Sequence, residues 1–269
     1  MAADFGPLVS AGWLAAHLDD VQVVDVRWYL NGPSGWDAYL GGHLPGAVWL
    51  DIDTDLSAPA SRQAGRHPLP TEAAFAAALG RKGIAEGRPV LAYDDNGAAV
   101  AARLWWLLHA IGQPVAVLDG GLAAWEGELS TDVPVPMPTE RAVRPWPSDR
   151  FASADELAQS QAAVFDARTA ERYAHGDLAI DPRAGHVPGA HSAPWAANLG
   201  ANGRFLAPEA LRRRYANAKG RGAIAYCGSG VTACHDLLAM TLAGYTELAL
   251  YPGSWSQGGA DESRPSETG

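Results

Sequence analysis

The sequence predicts an α/β protein built from two copies of one unit, each a mostly parallel sheet flanked by helices on both faces. Three observations carry that expectation. Short motifs return in the same order in the two halves, short apolar strands alternate with longer helical stretches, and a proline-rich segment separates the halves.

The repeat comes first. Val24-Asp25-Val26-Arg27 returns as Phe165-Asp166-Ala167-Arg168, and Gly42-His43-Leu44-Pro45-Gly46-Ala47 as Gly185-His186-Val187-Pro188-Gly189-Ala190. Pro89-Val90-Leu91-Ala92-Tyr93 returns as Gly222-Ala223-Ile224-Ala225-Tyr226, and Asp119-Gly120-Gly121 with Trp125 is echoed by Pro252-Gly253-Ser254-Trp255. The offsets fall between 133 residues, Tyr93 to Tyr226, and 143 residues, Gly42 to Gly185. A chain of 269 residues with 48% apolar content is long enough for two such domains, each with its own core. The expected boundaries are 1–129, a linker over 130–150, and 151–269. Pro134, Pro136, Pro138, Pro145 and Pro147 lie in that linker. Proline fixes φ and removes a donor, so an extended connection is expected there rather than a packed element.

Within each copy, residues 21–26, 90–93 and 115–118, and then 163–167, 223–226 and 247–251, read as buried strands. Residues 98–111 and 232–243 read as helices, and Ser10 and Ser153 as helix N-caps at matching places. Strands alternating with helices imply parallel pairing. On such sheets ligands bind at the C-terminal ends of the strands.

Composition narrows the function. Asp and Glu outnumber Lys and Arg by 30 to 20, a net charge of −10. That balance lacks the basic footprint of a nucleic-acid binder and the polybasic segment that holds a protein on an anionic membrane. No apolar run reaches the ~18 residues of a membrane span. Residues 1–7 show no basic segment followed by an apolar one, so no signal peptide is expected. Two cysteines make no disulfide framework. A reducing cytoplasm is the expected location.

Cys227 follows the strand 223–226 and opens the loop Cys227-Gly228-Ser229-Gly230-Val231-Thr232 before a helix. Two glycines let successive N–H groups turn inward, and together with the helix N-terminus they favour an anion at the centre. A thiolate held there is a ready nucleophile, and the same cradle suits the terminal sulfur of a persulfide. Cys234, inside the following helix, reads as a structural core cysteine. A Cys227–Cys234 disulfide is not expected, because seven helical steps span about 10 Å against the roughly 4.4–6.8 Å Cα separation a disulfide needs. Cysteine phosphatases also cradle a thiolate, but they close a longer loop with an arginine six residues on, where this chain has Ala233. In the first copy Asp94 stands in place of Cys227, so that copy is expected to be catalytically silent.

These motifs resemble those of the tandem rhodanese-domain sulfurtransferases over nearly the whole chain. The fold implied is two rhodanese-like domains, with the nucleophile in the second and an aspartate in its place in the first. Thiosulfate-preferring members resemble Cys-Arg-Lys-Gly-Val-Thr at the loop and mercaptopyruvate-preferring members Cys-Gly-Ser-Gly-Val-Thr. This chain, with Gly228 and Ser229, is similar to the second group. The resemblance therefore implies sulfur transfer from 3-mercaptopyruvate through a Cys227 persulfide. The alternatives are thiosulfate as donor and a non-enzymatic persulfide relay.

Further positions carry over from the resemblance. Arg172 and Arg183 match two arginines that grip the donor's carboxylate and keto oxygen, as a planar guanidinium suits. The donor is then a small anion. Gly228, Gly230, Val231 and Thr232 complete the donor-binding loop. Asp53 and His67 match a polar pair that couples to Ser229. His43 to Tyr93 spans 50 residues and His186 to Tyr226 only 40, so the first copy carries an extra segment that holds both. Such a loop is expected to lean toward the second domain. For His67 the plainer reading is a surface turn before Pro68, and for each arginine a solvated side chain. His43 and His186 recur in the silent copy as well, which marks them as structural. No metal or organic cofactor is expected, since zinc-ligand spacing and nucleotide fingerprints are missing. The acceptor implied is a thiol, such as thioredoxin or a low-molecular-weight thiol, or cyanide in an assay.

Overall fold

The computed structural model describes residues 5–269. Residues 1–4, part of the N-terminal stretch read above for a targeting signal, lie outside the described residues. The chain forms two compact units. One comprises the residues up to Ser57, then Pro70–Trp146 and Asn202–Arg204; the other comprises Ala58–Leu69, Pro147–Ala201 and Phe205–Gly269. Two stretches thus lie outside their own repeat, and the longer, Ala58–Leu69, comes from the extra segment of the first copy.

In the first unit the order is β1 (Leu8–Val9), α1 (Ala11–His17), β2 (Gln22–Asp25), α2 (Gly35–Leu40), β3 (Val48–Trp49), α3 (Glu72–Arg81), β4 (Val90–Tyr93), α4 (Ala101–Ala110) and β5 (Val115–Leu118). The sheet order is β1-β5-β4-β2-β3, every pair parallel. In the second unit α5 (Ala154–Gln159), β6 (Ala163–Asp166), α6 (Ala170–His175), β7 (His191–Ser192), α7 (Pro208–Arg214), β8 (Ala223–Tyr226), α8 (Ala233–Leu242), β9 (Leu248–Leu250) and α9 (Ser254–Gly258) follow. Its sheet order is β7-β6-β8-β9, again all parallel. Both are the α/β architecture expected. Among the described residues no helix is long and apolar enough to cross a membrane.

The strands read as apolar runs because they are buried. All four residues of β4, β5 and β8 are buried, as parallel strands beneath helices must be. Helix α4 is buried from Ala101 to Leu108, so apolar residues run around it rather than along one stripe, with Arg103 the buried exception. Leu14, Val23, Leu44, Leu91 and Leu118 form one core; Leu157, Ile224, Tyr226 and Trp255 belong to the other. Both expected caps are present. Ser10 Oγ accepts from Trp13 N at 3.1 Å, and Ser153 exchanges hydrogen bonds with Glu156 in a capping box.

The repeated motifs form the same scaffold twice. Arg27 grips Asp25 through Nε and Nη2 and reaches Gly42 O at 2.8 Å. Arg168 does the same with Asp166 and Gly185 O. Tyr93 OH accepts from Leu44 N, and Tyr226 OH from Val187 N. His43 stacks on Tyr39 and contacts Tyr39 O; His186 stacks on Tyr173 and contacts Tyr173 O. Both histidines therefore tie the strand that follows to the preceding helix, a structural role.

The segment after Ser130 differs from expectation. It is extended, but it is fastened to the first unit and does not hang free. Ser130 bridges to His43, Thr139 N donates to Gly80 O at 3.0 Å, and Trp146 Nε1 donates to Pro70 O at 2.8 Å. Proline removes donors from such a segment, but the donors that remain still find partners.

Candidate active site

Cys227 leaves the C-terminal end of β8, and the loop it opens is clamped from below. Trp255 N donates to Cys227 O and Ser256 N to Gly228 O, each at 2.9 Å, while Cys227 N donates to Ser254 Oγ at 3.1 Å. Gly230 has φ of +78°, and a Cβ there would lie 2.6 Å from Pro252 O. Glycine is thus needed twice over, for conformation and for space. The turn aims Gly230 N–H at Cys227 Sγ, 3.1 Å away. Cys227 is buried, only 2% exposed, and both cysteines are free. Cys234 points into the core, where its Sγ contacts Gly230 O at 3.4 Å.

The matching loop of the first repeat gathers its backbone donors around a carboxyl group. Asp94 Oδ1 accepts from Asn96 N at 3.0 Å and Ala98 N at 2.8 Å; Oδ2 accepts from Val100 N at 2.8 Å and Ala101 N at 2.9 Å. Four backbone donors converge on a fully buried carboxylate. Burial pushes its pKa up, and the four N–H bonds oppose that. The first loop therefore carries a carboxyl group where the second carries a thiol. In register, with Tyr93 matched to Tyr226, those four donors correspond to the N–H groups of Ser229, Val231, Ala233 and Cys234. An aspartate in the cradle can neither attack nor carry sulfur.

His67 is brought to the second loop by the excursion Ala58–Leu69. Its Nδ1 lies 2.8 Å from Ser229 Oγ, and the ring is 2% exposed. Neighbouring residues pin the excursion. Gln257 Nε2 donates to Gln63 O at 2.6 Å, Arg66 N to Ser256 Oγ at 2.9 Å, and Arg66 Nη2 to Ile180 O. The surface-turn reading of His67 is thereby set aside.

Arg172, on α6, reaches the loop. A Cβ built on Gly228 would sit 2.9 Å from Arg172 Nη2. Arg172 is held by Asp181, with Nη2 donating to Oδ1 at 2.5 Å and Nε to Oδ2 at 3.0 Å. Arg183 is differently employed. Its Nη2 donates to Arg264 O at 2.8 Å, its guanidinium lies 5.5 Å from the Trp255 ring centre, and its Nε is buried without a hydrogen-bond partner among the described residues. Asp53 belongs to the first unit, where its Oδ2 accepts from Trp28 Nε1 at 2.8 Å. Val231 is buried under the loop, and Thr232 is the residue from which α8 starts. Among the described residues no group of three or more His, Cys, Asp or Glu side chains is placed to hold a metal ion.

Sequence reasoning missed Asp181 and Ser254. A signal for Asp181 existed. Tyr39 precedes its histidine partner by four residues and Tyr173 by thirteen, so the second copy has an insertion of its own, and Asp181 and Arg183 lie in it. The insertion of each copy thus feeds one site, and they meet at Arg66 and Ile180.

A model of the rhodanese-like domain matches residues 10–128 and again 152–261. The chain belongs to the rhodanese-like family. Its curated relatives include a probable 3-mercaptopyruvate sulfurtransferase of Pseudomonas aeruginosa, 44% identical across 97% of this chain and 98% of the relative. A putative thiosulfate sulfurtransferase, SseB of Mycobacterium tuberculosis, is 38% identical across 98% and 94%. The solved 3-mercaptopyruvate sulfotransferase SseA of Escherichia coli superposes with a TM-score of 0.81 at 30% identity, covering 93% of this chain and 99% of that one. This tandem rhodanese is accordingly a sulfurtransferase. The Cys227 loop sits where parallel sheets bind ligands, at the carboxyl end of β8.

Proposed function

We propose that this rhodanese moves sulfur from 3-mercaptopyruvate to a thiol through a persulfide on Cys227. The observation that carries the reading is the loop itself. Gly230 N–H meets Cys227 Sγ, and the matching loop of the first repeat gathers four N–H groups around a carboxylate. A persulfide's anionic terminal sulfur fits such a cradle.

In the proposed cycle the Cys227 thiolate attacks the donor's sulfur. An S–S bond forms, the donor's C–S bond breaks, and pyruvate leaves as its enolate. Arg172 meets the carboxylate, and Arg183 adds positive charge behind Trp255. Ser229 and His67 deliver the proton that quenches the enolate carbon. Asp53 is assigned to the same relay on the family resemblance alone. An acceptor thiol, from thioredoxin or a small thiol, then attacks the terminal sulfur and restores the Cys227 thiolate. Two free cysteines suit work in a reducing cytoplasm.

Thiosulfate is the second reading, favoured by the name of the Mycobacterium tuberculosis relative. It is a compact dianion, and Gly228 and Ser229 give it no cationic side chain from the loop. Both donors assayed on one preparation decide the matter. A higher kcat/KM for 3-mercaptopyruvate is expected; a preference for thiosulfate of about tenfold or more, roughly one lost charge-assisted contact, would make thiosulfate the donor.

A further inference from the structure

Gly228 has no need of glycine's conformational range, since its φ is outside the left-handed region. Space is the constraint. A Cβ at this position would meet Arg172 Nη2 at 2.9 Å, Nη1 at 3.6 Å and Cζ at 3.7 Å. The tip of an arginine ordinarily swings away from such a contact at little cost. This one is tethered. Asp181 takes both Nε and Nη2, and the Asp181 side chain is 1% exposed.

Asp181 is itself braced. Its Oδ2 accepts from Asp177 N at 2.9 Å and lies 3.6 Å from Arg168 Nη1, and Arg168 is locked to Asp166 at the end of β6. Burial pushes the Asp181 pKa up, but the Arg172 guanidinium beside it holds the carboxyl below its ordinary value. The sequence Asp166, Arg168, Asp181, Arg172 is therefore a chain of alternating charges that starts in the sheet and ends over the loop. Asp181 occupies one edge of the Arg172 guanidinium. On the other edge Nη1 makes no hydrogen bond among the described residues. That edge remains for a ligand.

We propose that Asp181 is a positioning residue that sets donor specificity by holding Arg172 in the space where a side chain at position 228 would begin. The inference rests on the donor-binding role given to Arg172 above. Two consequences follow from the geometry. A loop side chain at 228 and the tethered Arg172 are mutually exclusive, so this site grips its donor from α6 and not from the loop. The Asp181–Arg172 pair is also neutral as a whole, with one guanidinium edge open. It suits the single carboxylate of an α-keto thiol better than a compact dianion, for which a half-neutralised arginine is a weak partner.

The test is a double-mutant cycle on the full chain, with 3-mercaptopyruvate and thiosulfate as donors and cyanide as acceptor. Gly228→Ala alone should raise KM for 3-mercaptopyruvate about tenfold while kcat falls by less than about threefold. In an Asp181→Ala background the same change should cost less than about twofold, because Arg172 is already released. Asp181→Asn, nearly isosteric, should move the ratio of thiosulfate to 3-mercaptopyruvate kcat/KM about tenfold toward thiosulfate. It also serves as the second arm if Asp181→Ala does not fold. Equal losses from Gly228→Ala in both backgrounds, or an unmoved donor ratio in Asp181→Asn, would overturn the proposal. The two readings fail separately. A parent enzyme that prefers thiosulfate refutes the donor assignment, whereas additivity in the cycle refutes the tether with whichever donor is turned over.

Discussion

His67 Nδ1 stands 2.8 Å from Ser229 Oγ, both side chains buried, although 162 residues separate them in sequence. In the proposed relay the Ser229 hydroxyl passes its proton through that ring. His67→Ala and Ser229→Ala should each lower kcat for 3-mercaptopyruvate by about 10²-fold, the lower range for general acid–base catalysis. The double variant should be little worse than either alone. Thiosulfate should suffer less, since departing sulfite needs no proton on carbon. Steady-state kinetics with both donors check the point, and equal losses for the two would remove the relay.

The cysteines should separate cleanly. Cys227→Ser cannot form a persulfide and should abolish transfer from every donor. Cys234→Ser keeps a small side chain in the core and should retain most turnover. Cyanide-coupled assays of the two variants make the comparison.

Asp94 gives a prediction about stability instead of catalysis. Asp94→Ala would leave the N–H groups of Asn96, Ala98, Val100 and Ala101 without their acceptor. Urea unfolding should show a loss of about 2–4 kcal/mol. Asp94→Asn keeps one carbonyl oxygen and should lose less. Donor kcat/KM should stay within about twofold of the parent, since the first loop holds no nucleophile.

Asp236, fully buried in α8, predicts a pH effect. Burial pushes its pKa up to about 7 from 3.8, opposed by the nearby Tyr215 hydroxyl and the amide of Asn198, and among the described residues its Oδ2 has no hydrogen-bond partner. The folded state therefore holds the proton more tightly than the unfolded chain does. The stability this provides is complete below the unfolded value and is lost as pH rises through the folded one. Between pH 4 and about 7 the Tm difference should move in favour of Asp236→Asn, which has no proton to lose. Calorimetry of both proteins across that range would show it, and parallel curves would contradict it.

Much of the fold is legible because the strands that matter are buried and recur. Residues 90–93, 115–118 and 223–226 are strands with the bounds the sequence suggests. The two-residue strands β1, β3 and β7 are too short to leave a period. Helix α4 starts at Ala101 and not at 98 because Ala98 has φ of +72° and its N–H, like that of Val100, is drawn to Asp94. A loop that turns its donors onto a carboxylate cannot also be helix, and no apolar pattern records that. At the site Cys227 stood out by its glycine loop after a strand, whereas Ser229 and His67 were implied by the family resemblance, with the extra segment of the first copy in support. Asp181 escaped notice because it has no counterpart in the first copy, and a lone aspartate in a loop looks like a solvated one.

The central claim is a sulfur carried on Cys227 after donation by 3-mercaptopyruvate. Intact mass followed by peptide mapping, after treatment with 3-mercaptopyruvate and no acceptor, tests it most directly. One added sulfur atom on the peptide containing Cys227 is predicted, discharged by cyanide and missing from Cys227→Ser. Sulfur on Cys234, or an unmodified protein in which 3-mercaptopyruvate is still turned over, would contradict the account.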